Sequence, residues 1–187
     1  MKKVFIVHGF MGTPNGGWKS WLMNGLAEHG VYACSLPMPT PDNPIKSEWI
    51  KTISEAVGVP NEGIFLVGHS LGVPAILRYL EFLDKDSKIG GAVLVSGPIA
   101  KIEKDGYEQV NAFLDGAFDF DHIKSTCKNF TVIHGDSDNV VSFYDAGYLT
   151  EKVSGNLVPI PGGGHLSPDE KCFELSQALE ALLKMMK

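Results

Sequence analysis

Six short apolar segments alternate along the chain with segments whose apolar residues recur at intervals of three and four. The apolar runs lie at 4–7, 31–36, 64–67, 92–95, 130–133 and 157–160, and the helical patterns at 17–29, 45–57, 71–83, 142–153 and 168–186. Nearly continuous apolar runs are typical of strands that are covered on both faces, as in parallel sheets. The alternation predicts an α/β three-layer sandwich with a doubly wound, mostly parallel sheet of about six strands.

The length of 187 residues suits one domain with a sizeable core. No internal repeat or linker interrupts the pattern, so we predict a single domain over residues 1–187. Residues 97–129 have no clear periodicity and are expected to hold one or two short helices. A long insertion after the carboxyl end of a strand lies over the ligand crevice in this architecture. We therefore predict a small cap-like insertion around 97–129.

Charge and cysteine content argue against several classes of function. The chain has 16 basic and 22 acidic residues, a net charge of −6, so no nucleic-acid partner is expected. Its three cysteines lie far apart, in no spacing typical of a disulfide framework or a thiolate metal site. The apolar run at 4–7 is too short for a signal peptide or a membrane span. We predict a cytoplasmic protein with no membrane partner; the sequence does not determine its oligomeric state.

The sequence GHSLG, residues 68–72, is a candidate nucleophile elbow. A G-x-S-x-G match arises by chance in roughly one sequence in six of this composition, so its context must support the assignment. The match follows an apolar run directly and precedes a helical pattern, which is the strand, turn and helix setting that the elbow requires. Glycines there allow the close backbone approach of a strained turn. Ser70 is the candidate nucleophile; a structural turn serine is the alternative.

A serine hydroxyl needs a base, and His165 is the best placed of the six histidines. It follows three glycines at the end of the last apolar run. Ser167 and Glu170 after it form a capping-box pattern, with Pro168 in the first helical position. His165 is therefore expected on a loop at the carboxyl edge of the sheet, where Ser70 also emerges. An ordinary loop histidine is the alternative.

The loop after the fifth apolar run carries two candidates for the acid that orients the histidine, Asp136 and Asp138. The chain order Ser, Asp, His is the one used by enzymes with this elbow. We favour Asp138 because Gly135, Asp138 and Val141 reproduce a G-x-x-D-x-x-V spacing. Asp136 is then expected to cap a turn.

Acyl transfer also requires donors for the oxyanion, commonly the amide after the nucleophile and one after an earlier strand. These positions correspond to the backbone N–H groups of Leu71 and Phe10. The side chains of Phe10 and Met11 are candidate walls of the acyl pocket, with Met11 a candidate substrate-binding residue. Core packing is the alternative for both side chains.

The segments HGFMGTPNGGWKSWL, VGHSLG, HGDSDNVV and GGGHLS together resemble those of the α/β-hydrolase superfamily. In its small size, the chain resembles members of the retinoblastoma-binding-protein-9-like family of small serine hydrolases. The resemblance implies a trimmed sheet, no large lid and a triad of Ser70, Asp138 and His165. It also implies hydrolysis of small carboxylic esters without cofactor or metal. No L-x-C-x-E motif occurs in the chain, so the retinoblastoma protein is not expected as a partner.

The predicted function is therefore that of a carboxylesterase acting on a small ester-like substrate. Thioester or amide cleavage would use the same machinery, and a catalytically inert binding protein on a hydrolase fold is a further alternative.

The segment GTPNGGWKS nearly matches the phosphate loop G-x-x-x-x-G-K-[ST]. Trp18, inserted before Lys19, would turn the lysine by about 100° on a helix, so a nucleotide hydrolase is disfavoured.

Overall fold

The computed structural model describes residues 1–187 and contains one parallel sheet between two layers of helices. The strands are β1 Lys3–Val7, β2 Tyr32–Ser35, β3 Ile64–His69, β4 Gly91–Val95, β5 Phe130–Gly135 and β6 Asn156–Ile160. Their order in the sheet is β2-β1-β3-β4-β5-β6, and every neighbouring pair is parallel. Each strand overlaps one predicted apolar run, and the predicted fold class is confirmed.

The helices are α1 Lys19–Glu28, α2 Lys46–Val57, α3 Gly72–Phe82, α4 Glu108–Asn111, α5 Phe120–Thr126, α6 Phe143–Val153 and α7 Ser176–Met185. Helices α2, α3, α5 and α6 pack on one face of the sheet, and α1 and α7 pack on the other. None of the helices combines the length and the apolar character needed to cross a membrane.

The central strand β3 shows why the apolar runs are continuous. All six of its residues are buried, and successive side chains enter opposite layers of the core. Leu66 packs into the layer of α2 and α3, whereas Phe65 and Val67 pack into the layer of α1 and α7. Burial of each such side chain stabilises the fold by about 1.5–3 kcal/mol. Polar residues at every second position would lose this energy on one face, so the run at 64–67 is apolar throughout.

The prediction of one helix over 168–186 is wrong. A 3₁₀ turn at Pro168–Glu170 ends at Lys171, which has a left-handed backbone with φ of 59°, and α7 begins only at Ser176. The capping box between Ser167 and Glu170 is present. The backbone N–H of Cys172 bonds back to the Ser167 carbonyl, which closes the turn and prevents its continuation into α7.

Residues 97–129 hold α4, a 3₁₀ turn and α5, in line with the short helices expected there. Phe113 and Ile123 are fully buried against the layer that contains α3. The Arg78 guanidinium lies 3.9 Å from the Phe118 ring centre and donates hydrogen bonds to four carbonyls of residues 113–117. Most of this segment thus packs beside α3, and only a short part of it reaches the cleft described below.

Candidate active site

Ser70 stands at the sharp bend between β3 and α3. Its φ is 54°, a left-handed conformation that costs a non-glycine residue about 1–3 kcal/mol. The bend is fixed on both sides: the Ser70 N–H donates to the Val95 carbonyl at 2.9 Å, and the Ser70 carbonyl accepts from Val73 N at 2.9 Å. A Cβ at Gly72 would collide with the Val7 carbonyl, so only glycine lets α3 begin against the end of β1.

His165 lies on the loop after β6, and its Nε2 is 2.9 Å from the Ser70 Oγ. The path of this loop depends on Gly135, because a Cβ there would collide with the Gly163 and Gly164 carbonyls. The close approach of the two loops holds His165 over the carboxyl end of the sheet. In the tautomer that suits both contacts of the ring, Nδ1 donates to a carboxylate and Nε2 accepts the serine proton.

The carboxylate that meets His165 belongs to Asp138. Its Oδ2 is 2.8 Å from the His165 Nδ1, and its Oδ1 accepts hydrogen bonds from the N–H groups of Val140 at 2.8 Å and Val141 at 2.9 Å. The side chain is fully buried. Burial alone would raise the pKa of Asp138, but hydrogen bonds from His134 and His165 outweigh it and hold the pKa well below its ordinary value. Asp138 is therefore ionised at neutral pH.

Asp136 takes no part in this chain of contacts. It is exposed, and its Oδ1 accepts a hydrogen bond of 2.8 Å from the Gly162 N–H, which links the loop after β5 to the turn after β6. The structure thus brings Ser70, His165 and Asp138 together and leaves Asp136 in the turn-capping position expected for it.

Two further histidines contact these residues, although the sequence analysis singled out only His165. The Nε2 of His134 lies 3.2 Å from the Asp138 Oδ2 and 3.1 Å from the Val141 carbonyl, and its Nδ1 is buried without a partner. The His69 Nε2 is 2.9 Å from the His165 carbonyl oxygen. A signal was present in the sequence, because His69 directly precedes Ser70 and His134 lies at the carboxyl end of the strand that leads to Asp138.

Ser70 and His165 open into a cleft of about 930 Å³. Phe10, half-buried, packs against Tyr107 with ring centres 6.1 Å apart, and Met11 is 71% exposed on the cleft wall. The backbone N–H groups of Phe10 and Leu71 donate no hydrogen bond within the protein. From the segment 97–129, only Gly106 and Tyr107 reach the cleft.

Elsewhere on the surface, a cavity of about 840 Å³ between α5 and α6 contains none of these residues. No group of three or more His, Cys, Asp and Glu side chains is arranged to hold a metal ion.

A family model described as serine hydrolase matches residues 4–184. The chain belongs to the serine hydrolase family. This serine hydrolase is 35% identical over 169 residues to YdeN of Bacillus subtilis (strain 168), covering 90% of this chain and 88% of that protein. It is 21% identical over 168 residues to the serine hydrolase RBBP9 of Rattus norvegicus, covering 89% of this chain and 87% of RBBP9.

Solved structures agree with this assignment. The crystal structure of the ydeN gene product from B. subtilis superposes on this serine hydrolase with a TM-score of 0.94 at 33% identity, covering 100% of this chain and 99% of the other. Est1E from Butyrivibrio proteoclasticus has the same fold, with a TM-score of 0.73 at 19% identity and coverage of 99% and 88%. The predicted resemblance to small serine hydrolases with an α/β-hydrolase fold is confirmed.

Proposed function

We propose that this serine hydrolase cleaves small carboxylic esters through Ser70, His165 and Asp138, by way of an acyl-enzyme intermediate. The observation that carries the proposal is the chain of two hydrogen bonds at the floor of the cleft. They join Ser70 Oγ to His165 Nε2 at 2.9 Å and His165 Nδ1 to Asp138 Oδ2 at 2.8 Å. Both distances allow proton transfer from the serine and orientation of the imidazole without rearrangement.

In the first step, His165 Nε2 accepts the proton of the Ser70 hydroxyl as the oxygen attacks the ester carbonyl carbon. The imidazolium that forms is stabilised by the ionised Asp138 carboxylate, which itself stays deprotonated. The low pKa of Asp138 supports this role, because the carboxylate does not take the Nδ1 proton at neutral pH.

The negative charge on the former carbonyl oxygen requires donors, and we assign them to the backbone N–H groups of Phe10 and Leu71. Both groups lack an internal acceptor; Leu71 directly follows Ser70 at the start of α3, and Phe10 lines the cleft together with Ser70. Loss of one donor of this kind typically costs about 10² to 10³ in kcat. Met11 on the cleft wall is the proposed contact for the acyl or alcohol portion of the substrate.

As the first tetrahedral intermediate collapses, His165 donates its Nε2 proton to the departing alcohol. The acyl group then remains bound to Ser70 Oγ as an ester. A water molecule then attacks that ester, with its proton passing to His165. The collapse of the second tetrahedral intermediate releases the carboxylic acid and returns the proton to Ser70. The proposed steps use only this chain, the ester and water.

A fluorophosphonate probe should label Ser70 covalently, because an activated serine displaces fluoride from phosphorus. Intact-mass analysis is expected to show one adduct on the wild type and none on Ser70→Ala, with Ser20→Ala as the matched control that still labels. Equal labelling of the Ser70→Ala protein would show that the nucleophile lies elsewhere. A folded wild type that never labels would favour an inert binding protein.

A parallel panel of ester, thioester and amide substrates distinguishes an esterase from a thioesterase or an amidase.

Short acyl chains should be preferred over long ones. Only 4 of the 18 residues that line the cleft are hydrophobic, so a long chain gains little of the roughly 0.8 kcal/mol per buried CH₂ that an apolar tunnel provides. We expect kcat/KM for 4-nitrophenyl butyrate to exceed that for 4-nitrophenyl palmitate by at least about tenfold. Faster turnover of the palmitate ester, measured below its critical micelle concentration, would reject this expectation.

A further inference from the structure

Lys19, the first residue of α1, is a buried lysine in the wall of the cleft that holds Ser70. It is only 3% exposed, although lysine is among the residues least often buried. Its Nζ donates a hydrogen bond of 2.8 Å to the Gly16 carbonyl and lies 5.2 Å from the centre of the Trp18 ring. Gly16 and Lys19 both line the cleft. The segment that nearly matched a phosphate loop therefore places a cation in the cleft that holds the nucleophile.

The Lys19 ammonium has no counter-ion within the protein. No Asp or Glu oxygen lies within 4.0 Å of its Nζ. Of its titratable neighbours, His8 and His69 are buried and neutral, because burial lowers the pKa of each ring. Burial, reinforced by the Glu170 carboxylate, raises the pKa of the Cys172 thiol, which keeps it protonated. A buried charge without a partner is costly, so the ammonium favours an anion that enters the cleft.

Lys19 is still charged at neutral pH. Burial lowers the pKa of its amine to about 8, one unit above neutrality, so the protonated form is about tenfold in excess at pH 7. The desolvation that lowers this pKa also strengthens the attraction for a negative group brought next to the ammonium. Two of its three N–H donors remain for such a ligand after the bond to Gly16.

The surroundings of Lys19 favour a monoanion. Lys19 is the one Lys or Arg side chain among the residues that line the cleft, and two carboxylates, Asp169 and Glu170, line it as well. These carboxylates would repel a phosphate dianion about twice as strongly as a monoanion, and the dianion would meet a single cation. A carboxylate carries one charge and is satisfied by one ammonium and a small number of further donors.

We propose that Lys19 binds a carboxylate of the substrate, so that this serine hydrolase prefers esters with a second, negatively charged end. Preference in turnover rests on the proposed esterase function, whereas binding of the carboxylate does not. The acidic end would sit against Lys19 while the ester carbonyl lies at Ser70. Neutral esters of the same shape would lack this contact.

The first test compares matched pairs of esters that differ by one charge. One pair carries the charge on the acyl side, mono-4-nitrophenyl adipate against its methyl ester, and the other on the alcohol side, 4-acetoxybenzoate against its methyl ester. The preference for the charged ester is measured as kcat/KM for the anionic ester divided by kcat/KM for the neutral ester. For at least one pair, Lys19→Met should lower this ratio by about tenfold or more, which is the loss expected when a hydrogen bond to a charged group is removed.

Lys171→Met is the matched control, because Lys171 is exposed next to the two cleft carboxylates and does not line the cleft. It removes the same charge and should leave both ratios within about twofold. Lys19→Gln, which keeps an N–H donor without the charge, provides a second variant should Lys19→Met unfold. Ratios that stay the same in both Lys19 variants would overturn the proposal.

A binding measurement keeps this inference separate from the proposed function. In a Ser70→Ala background, calorimetric titration with 4-acetoxybenzoate should show affinity at least about tenfold weaker when Lys19 is also replaced by methionine. If wild type hydrolyses no ester but this difference persists, the esterase proposal fails and the carboxylate site stands. Equal affinity in the two proteins would refute the site even if esters are turned over.

Discussion

His165→Gln should lower kcat for an activated ester by about 10⁴ to 10⁶, because the variant removes the only group in contact with the Ser70 hydroxyl that can take its proton. A glutamine amide at this place can hydrogen-bond to the serine but cannot act as a base near neutral pH. The serine hydroxyl then stays protonated, and the residual rate reflects only binding and the oxyanion donors. Initial rates with 4-nitrophenyl acetate, corrected for spontaneous hydrolysis, measure the effect.

The matched control is His29→Gln. His29 is exposed at the end of α1 and its side chain makes no hydrogen bond, so this variant should keep kcat within about twofold of wild type. Thermal melts of both variants check that the fold survives. A His165→Gln protein that is folded and retains more than a tenth of the wild-type rate would show that a different base serves Ser70.

Much of this arrangement could be predicted from the sequence, because parallel strands bury both faces. Continuous apolar runs marked every strand, and the ends of those runs located the carboxyl edge of the sheet. Ser70, Asp138 and His165 follow three different strands at that edge, so topology places them on one edge of the sheet, and the loop after β6 then brings His165 across to Ser70. The spacing after Gly135 identified which aspartate meets the histidine, since the buried Val141 fixes the turn through its N–H bond to Asp138.

Other features depend on contacts that no local pattern contains. Lys19 is charged and stands at the start of a helix, yet it is buried, with its Nζ over the Trp18 ring and bonded to the Gly16 carbonyl. The break in the predicted helix over 168–186 arises at Lys171, whose left-handed backbone has no glycine to signal it. The contact of His134 with Asp138 joins the end of β5 to the loop that follows it, four residues along the chain, and corresponds to no motif.

Asp138→Asn should lower kcat by about 10⁴ while the protein stays folded, whereas Asp136→Asn should remain within tenfold of wild type. The reason lies in the hydrogen bonds around Asp138. The N–H groups of Val140 and Val141 hold one side-chain oxygen in place, so an amide at this position turns its NH₂ group towards His165. His165 Nδ1 must then accept, the proton moves to Nε2, and the ring can no longer accept the proton of Ser70.

Asp136→Asn is the matched control, because it makes the same chemical change two residues away. Its side chain accepts one hydrogen bond from Gly162 on the surface, an acceptor that asparagine retains, so the loss is at most about 1 kcal/mol. Both variants are measured with one activated ester, and circular dichroism verifies folding. If Asp136→Asn is the inactive protein, the acid of the site is Asp136, and the contact between Asp138 and His165 serves packing alone. If both variants keep wild-type rates, neither carboxylate orients His165 during turnover.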